Sequence, residues 1–97
     1  MAGEPLLVGI DVGTTNIKAV VFDLHGRLVA ANARKTPVHY PRPGWAYFRP
    51  QEIWEATVTA LRAVTVQLDH PQHIAGLAVA SMGESGVPID ANGVELY

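Results

Sequence analysis

Apolar residues follow two rhythms along the chain. Leu6–Ile10 and Ile17–Phe22 are short runs rich in Val, Ile and Leu, too short for helices, and they read as buried strands. Asp23-Leu24-His25-Gly26 follows as a tight-turn signal, with Gly26 able to take positive φ. Arg27–Lys35 then reads as a third strand, so the first 35 residues predict an antiparallel meander. From Pro50, Ile53, Thr57, Leu61, Val64 and Leu68 recur every three or four residues, an apolar stripe at helical period. Trp54, Val58 and Thr65 widen the stripe, and Trp54 is expected in the core. Glu52 and Glu55 lie early in this helix, where its dipole favours acids. Its β-branched residues lower helix propensity, so docking on a sheet must hold it. Asp69-His70-Pro71 ends it.

Ile74–Ala80 reads as a further buried strand, followed by a glycine-containing loop through Gly86. Asp90-Ala91-Asn92-Gly93 signals a turn between Val87–Ile89 and a returning strand over Val94–Tyr97. Between the meander and the helix, Thr36–Arg49 contains Pro37, Pro41, Pro43 and Gly44 and reads as an extended loop. Tyr40, Trp45, Tyr47 and Phe48 lie in it, and such a loop is expected to be pinned to a surface. Trp45 is expected to anchor it to the core, although its ring also suits stacking on a sugar. The predicted class is α/β, a three-strand antiparallel meander followed by a helix that returns a strand to the sheet.

The chain has 97 residues, 48% hydrophobic and 16% charged, which suits one modest core. A formal net charge of −2, without a basic cluster, gives no footprint for nucleic acid. The absence of cysteine excludes disulfides, thiolate nucleophiles and zinc–thiolate sites. The start lacks the basic region of a signal peptide, and Leu6–Ile10 is far short of a membrane span, so a cytoplasmic protein is expected. His25, His39, His70 and His73 have no metal-ligand spacing on a helix face.

The stretch "GIDVGTTNIKAVVFD", Gly9 to Asp23, interrupts two strands with Asp11, Gly13, Thr14 and Thr15. Consecutive N–H groups in such a turn form an anion nest suited to phosphate, and the two threonines add hydroxyl donors. Asp11 can hold Mg²⁺ directly or through its waters, and Lys18 is near enough to face the same charge. An ordinary hairpin turn, with Asp11 and Thr14 satisfying local backbone groups, explains the composition equally well. Met82, Gly83 and Glu84 follow the strand Ile74–Ala80, where ligands bind in α/β sheets. Glu84 is either an acceptor for polyol hydroxyls or a solvated loop acid.

"LLVGIDVGTTNIKAVVFDLHGRLVAA" resembles the first phosphate loop of the sugar-kinase, Hsp70 and actin superfamily. "YPRPGWAYFRPQEIW", the helix and "IAGLAVASMGESGVPIDANGVELY" then resemble the N-terminal part of the FGGY carbohydrate kinases. The resemblance implies a ribonuclease-H-like, actin-like ATPase fold and transfer of phosphate from ATP to a sugar or polyol hydroxyl. It places Asp11 at Mg²⁺, Gly13, Thr14, Thr15 and Lys18 at the phosphates of ATP, and Met82, Gly83 and Glu84 at the acceptor. Glycerol kinases carry Gln-Arg-Glu where this chain has Met82-Gly83-Glu84, and losing the arginine argues against glycerol. The Gln-Met-His-Gly usual in xylulokinases is absent too. Many members place an acid before the helix proline, where Arg49 stands here and cannot cap by accepting a hydrogen bond.

Family members are several times longer, so residues 1–97 are expected to be the first part of the N-terminal domain. The catalytic base and adenine-binding domain are expected elsewhere in the polypeptide, leaving these residues inactive alone. A nucleotide switch or chaperone of the same superfamily, and a non-catalytic binding module, are the competing classes. Self-association is open as well, because a strand left unpaired at Tyr97 exposes an edge.

Overall fold

The computed structural model describes residues 4–83 and 86–96. Strands β1 (Leu6–Val12), β2 (Asn16–Asp23) and β3 (Leu28–Lys35) form the expected antiparallel meander. Helix α1 (Pro50–Thr65) follows, then a short 3₁₀ turn at Pro71–His73 and strand β4 (Ile74–Ser81). The sheet order is β3-β2-β1-β4, with β4 parallel to β1. The parallel pairing is possible because the chain crosses the sheet face through α1 before re-entering beside β1.

The meander turns at Asp23–Arg27. Gly26 has φ +79° there, a conformation that suits glycine, and its N–H donates to the Asp23 carbonyl at 3.1 Å. The Asp23 carboxylate closes the turn from the side. Oδ1 accepts from the His25 N–H (2.8 Å) and the Arg27 N–H (3.0 Å), while Oδ2 accepts from Arg27 Nε (2.8 Å). These donors, the Arg27 backbone N–H foremost, hold the carboxyl below the usual aspartate range.

Side-chain alternation puts Val8 and Ile10 of β1, Ala19 and Val21 of β2 and Ala30 of β3 on one face of the sheet. Helix α1 covers them with Ala60 and Val64, and Leu68 closes the end of the core. Ala19, Ala30 and Ala60 are small enough to let the helix backbone come close to the sheet, as dense packing requires. Pro50 occupies the start of α1, and Arg49 makes no side-chain cap. The threonines are accommodated by returning their hydroxyls to the helix backbone, Thr57 to the Ile53 carbonyl (2.8 Å) and Thr59 to the Glu55 carbonyl (2.8 Å).

Three expectations about burial are corrected. Trp54 is 63% exposed, not core, because α1 seats on Ala60 and Val64 and turns Trp54 aside. Trp45 is 60% exposed and anchors nothing in the core; its ring lies under the Arg42 guanidinium, 5.1 Å from the ring centroid. Strand β4 is largely exposed: Leu77 and Val79 share the helix-side face, but α1 lies over β2 and β3 and leaves them uncovered. An open apolar groove results, with Trp54, Val58 and Leu61 on one wall and Leu77 and Val79 on the other.

The proline-rich loop is pinned, but by different residues. His39 and Tyr47 exchange backbone hydrogen bonds (2.9 and 3.0 Å) and stack their rings 4.9 Å apart. His39 Nε2 also meets Glu52 Oε1 in the first turn of α1. Near the C-terminal end, Asp90 turns the chain as expected, its Oδ1 accepting from the Asn92 and Val94 N–H groups. Only the bridge Ile89↔Glu95 forms there among the described residues, so the returning segment is not an extended strand. Among the described residues no helix is long and apolar enough to cross a membrane.

Val64→Ala should destabilise the fold by about 2 kcal/mol, since it empties a fully buried site. Trp54→Ala should cost under about 1 kcal/mol. Urea unfolding of the two variants checks the burial assignment. Asp23 gives a pH signature. Its lowered carboxyl contributes stability that is fully present above the unfolded aspartate pKa and lost as pH falls through the folded one. Asp23→Ala should therefore be less stable than the parent at neutral pH, with the gap closing as acid protonates the parent's carboxylate. Unfolding midpoints across an acid pH series read this directly.

Candidate functional site

The turn between β1 and β2 consists of Gly13, Thr14 and Thr15. The Gly13 N–H donates to the Asn16 carbonyl at 2.9 Å, which tightens the hairpin. A Cβ at Gly13 would stand 2.8 Å from that oxygen, so the turn requires glycine for space. Thr14 and Thr15 are exposed, and among the described residues their hydroxyls make no intramolecular hydrogen bond.

Asp11 lies two residues before Gly13 and stands directly opposite Lys18 across the β1–β2 ladder. Directly opposed residues share a face, here the one away from α1, and both side chains are exposed. The sheet thus presents a carboxylate and an ammonium side by side, next to a turn carrying two hydroxyls. Among the described residues no three His, Asp, Glu or Cys side chains gather into a metal cage. One carboxylate fits a magnesium ion that takes its remaining ligands from water and phosphate. The donor set, with the glycine the turn needs, accommodates Mg²⁺–ATP phosphates chemically.

The β4 exit arrives at the same place. The Met82 N–H donates to the Val12 carbonyl at 2.9 Å, so pairing with β1 continues one residue beyond β4. Met82 and Gly83 therefore begin beside the residue that precedes Gly13. Among the described residues, nothing stands within 4 Å of where a Gly83 side chain would begin. Glu84 lies outside the described residues.

Thr36 was not marked by the sequence pattern. It is 2% exposed, the buried polar residue among those described, and it reaches the turn from just beyond β3. Its N–H donates to the Thr15 carbonyl at 2.9 Å and its hydroxyl to the Gly13 carbonyl at 2.8 Å. The signal that points to it is the register of β3. A bulge between Val21 and Phe22 advances the pairing by one, so Thr36 rather than Lys35 comes opposite Thr15.

Comparison with known proteins agrees with the fold and the order of these elements. Residues 6–97 match the N-terminal domain of the FGGY family of carbohydrate kinases. The glycerol kinase of Thermococcus gammatolerans is 32% identical over 95 residues, which are 97% of this chain and 19% of that protein. The xylulose kinase of Klebsiella pneumoniae is 33% identical over 85 residues, 88% of this chain and 17% of that protein. Among solved structures, gluconate kinase from Lactobacillus acidophilus superposes with a TM-score of 0.87 at 26% identity, over 98% of this chain and 19% of that one. The chain thus spans about a fifth of the length of these relatives. The meander, the crossing helix and the parallel β4 are the shared part, and on the family match over residues 6–97 this chain belongs to the FGGY family of carbohydrate kinases.

Proposed function

We propose that residues 1–97 form the first part of an N-terminal kinase domain whose full polypeptide transfers phosphate from Mg²⁺–ATP to a sugar or polyol hydroxyl. The supporting observation is the convergence at one end of β1. Asp11 and Lys18 flank the Gly13–Thr15 turn on one face, and Met82–Gly83 is hydrogen-bonded to the same strand end. Glycerol, xylulose and gluconate kinases among the relatives support a sugar or polyol acceptor in general.

On this reading Asp11 holds the magnesium ion, directly or through its waters. Bound Mg²⁺ neutralises charge on the phosphates during transfer. Gly13, Thr14 and Thr15 approach the phosphates: Gly13 keeps the turn free of a side chain, and Thr14 and Thr15 offer N–H and hydroxyl groups to phosphate oxygens. Lys18 adds a positive charge opposite Asp11. Met82, Gly83 and Glu84 belong to the acceptor side, where the Met-Gly pair disfavours glycerol by removing an arginine. The general base and adenine contacts come from outside residues 1–97. A cytoplasmic setting and a small-molecule partner complete the reading.

The test uses the full-length polypeptide and residues 1–97 side by side. The long form should phosphorylate a sugar or polyol with Mg²⁺–ATP, and the short form should not. Asp11→Asn in the long form should lower kcat at least about a hundredfold while the protein stays folded. Gly13→Ala should raise the KM for Mg²⁺–ATP about tenfold or more, through displacement of the Asn16 carbonyl. Full activity in Asp11→Asn, or turnover by residues 1–97 alone, overturns the reading.

A further inference from the structure

We infer that Thr36 is a positioning residue for the phosphate turn, setting which way its peptide groups face; the inference rests on the nucleotide reading above. A buried hydroxyl must find a partner, since an unpaired one costs free energy. Thr36 gives both of its donors to one turn. Its hydroxyl takes the Gly13 carbonyl and its N–H takes the Thr15 carbonyl.

This grip has a directional consequence. In a trans peptide the carbonyl and the following N–H point in opposite directions, and none of the described peptide bonds is cis. Holding the Gly13 and Thr15 carbonyls towards buried Thr36 therefore turns the Thr14 and Asn16 N–H groups away from it. Two carbonyl dipoles that would repel an anion are tied back; the Asn16 N–H then faces β1 within the hairpin, and the Thr14 N–H is the one left for an anion. In a two-residue hairpin the Gly13 carbonyl would ordinarily accept from the Asn16 N–H. Among the described residues it accepts from the Thr36 hydroxyl instead, while the Gly13 N–H to Asn16 carbonyl bond is kept. The turn is thus closed by one hydrogen bond of its own and held by Thr36 from just beyond β3.

The arrangement separates Thr36 from a mere packing residue. Valine has nearly the same shape but lacks the hydroxyl, whereas serine keeps it. In the full-length kinase, Thr36→Val should raise the KM for Mg²⁺–ATP about tenfold, the scale of one lost hydrogen bond. The acceptor KM and kcat should stay within about twofold. Without nucleotide, hydrogen–deuterium exchange should quicken in peptides spanning residues 13–16 and stay unchanged in α1. Thr36→Ser should restore both readouts.

An unchanged KM for Mg²⁺–ATP in Thr36→Val overturns the inference, as does an equal rise in acceptor KM or a failure of serine to restore. Faster exchange in α1 as well overturns it in favour of general destabilisation. A parent kinase with no Mg²⁺–ATP-dependent turnover overturns the nucleotide reading instead, and the exchange comparison still decides whether Thr36 holds the turn.

Discussion

Everything near the site depends on β1 being hydrogen-bonded along both edges. It runs antiparallel to β2 from Leu6 to Val12 and parallel to β4 over the same residues. A strand held on both sides has little freedom to slip, because a one-residue shift would send Val8 and Ile10 to the wrong face. That register fixes three things together. It puts Asp11 opposite Lys18, places the Gly13–Thr15 turn at the strand end, and brings the β4 exit beside it. The core contributes at a distance, through Ala60 and Val64 pressing on β2 and β3.

The elements were legible where one local rule decides them. Short β-rich runs, Asp-Leu-His-Gly and the helical stripe gave the strands, the turn and the helix to within a few residues. Burial was harder to read. Periodicity says that Trp54 and Val64 both lie on a broad apolar face, but not which part of that face meets the sheet. The seat of α1 is set by small residues on two strands and the helix, a tertiary fact with no local signature. The same seating leaves β4 bare, although its sequence reads like a strand buried on both sides.

At the site, the residue types of the turn were visible in the sequence and the residue that grips it was not. Asp11, Gly13 and Lys18 belong to a contiguous stretch whose chemistry can be read in order. Thr36 is 23 positions away from Gly13 and looks like an ordinary start to a proline-rich loop. One extra residue in β3, at Val29, brings it into line. A bulge is easily read as an irregularity of pairing. Here it selects which side chain stands behind the turn.

The pairing of His39 with Tyr47, together with the reach of His39 to Glu52, has a consequence for the loop they frame. Without these ties, the connection from β3 to α1 would be one long closure. With them, the path divides into two short tethered arms and a tip over residues 40–46. The tip closes on itself, so lengthening it draws on loop entropy alone, about 0.6 kcal/mol per doubling. Tyr40 and Trp45 sit on that tip, exposed. Changes in its length or side chains therefore leave the entry of α1 undisturbed.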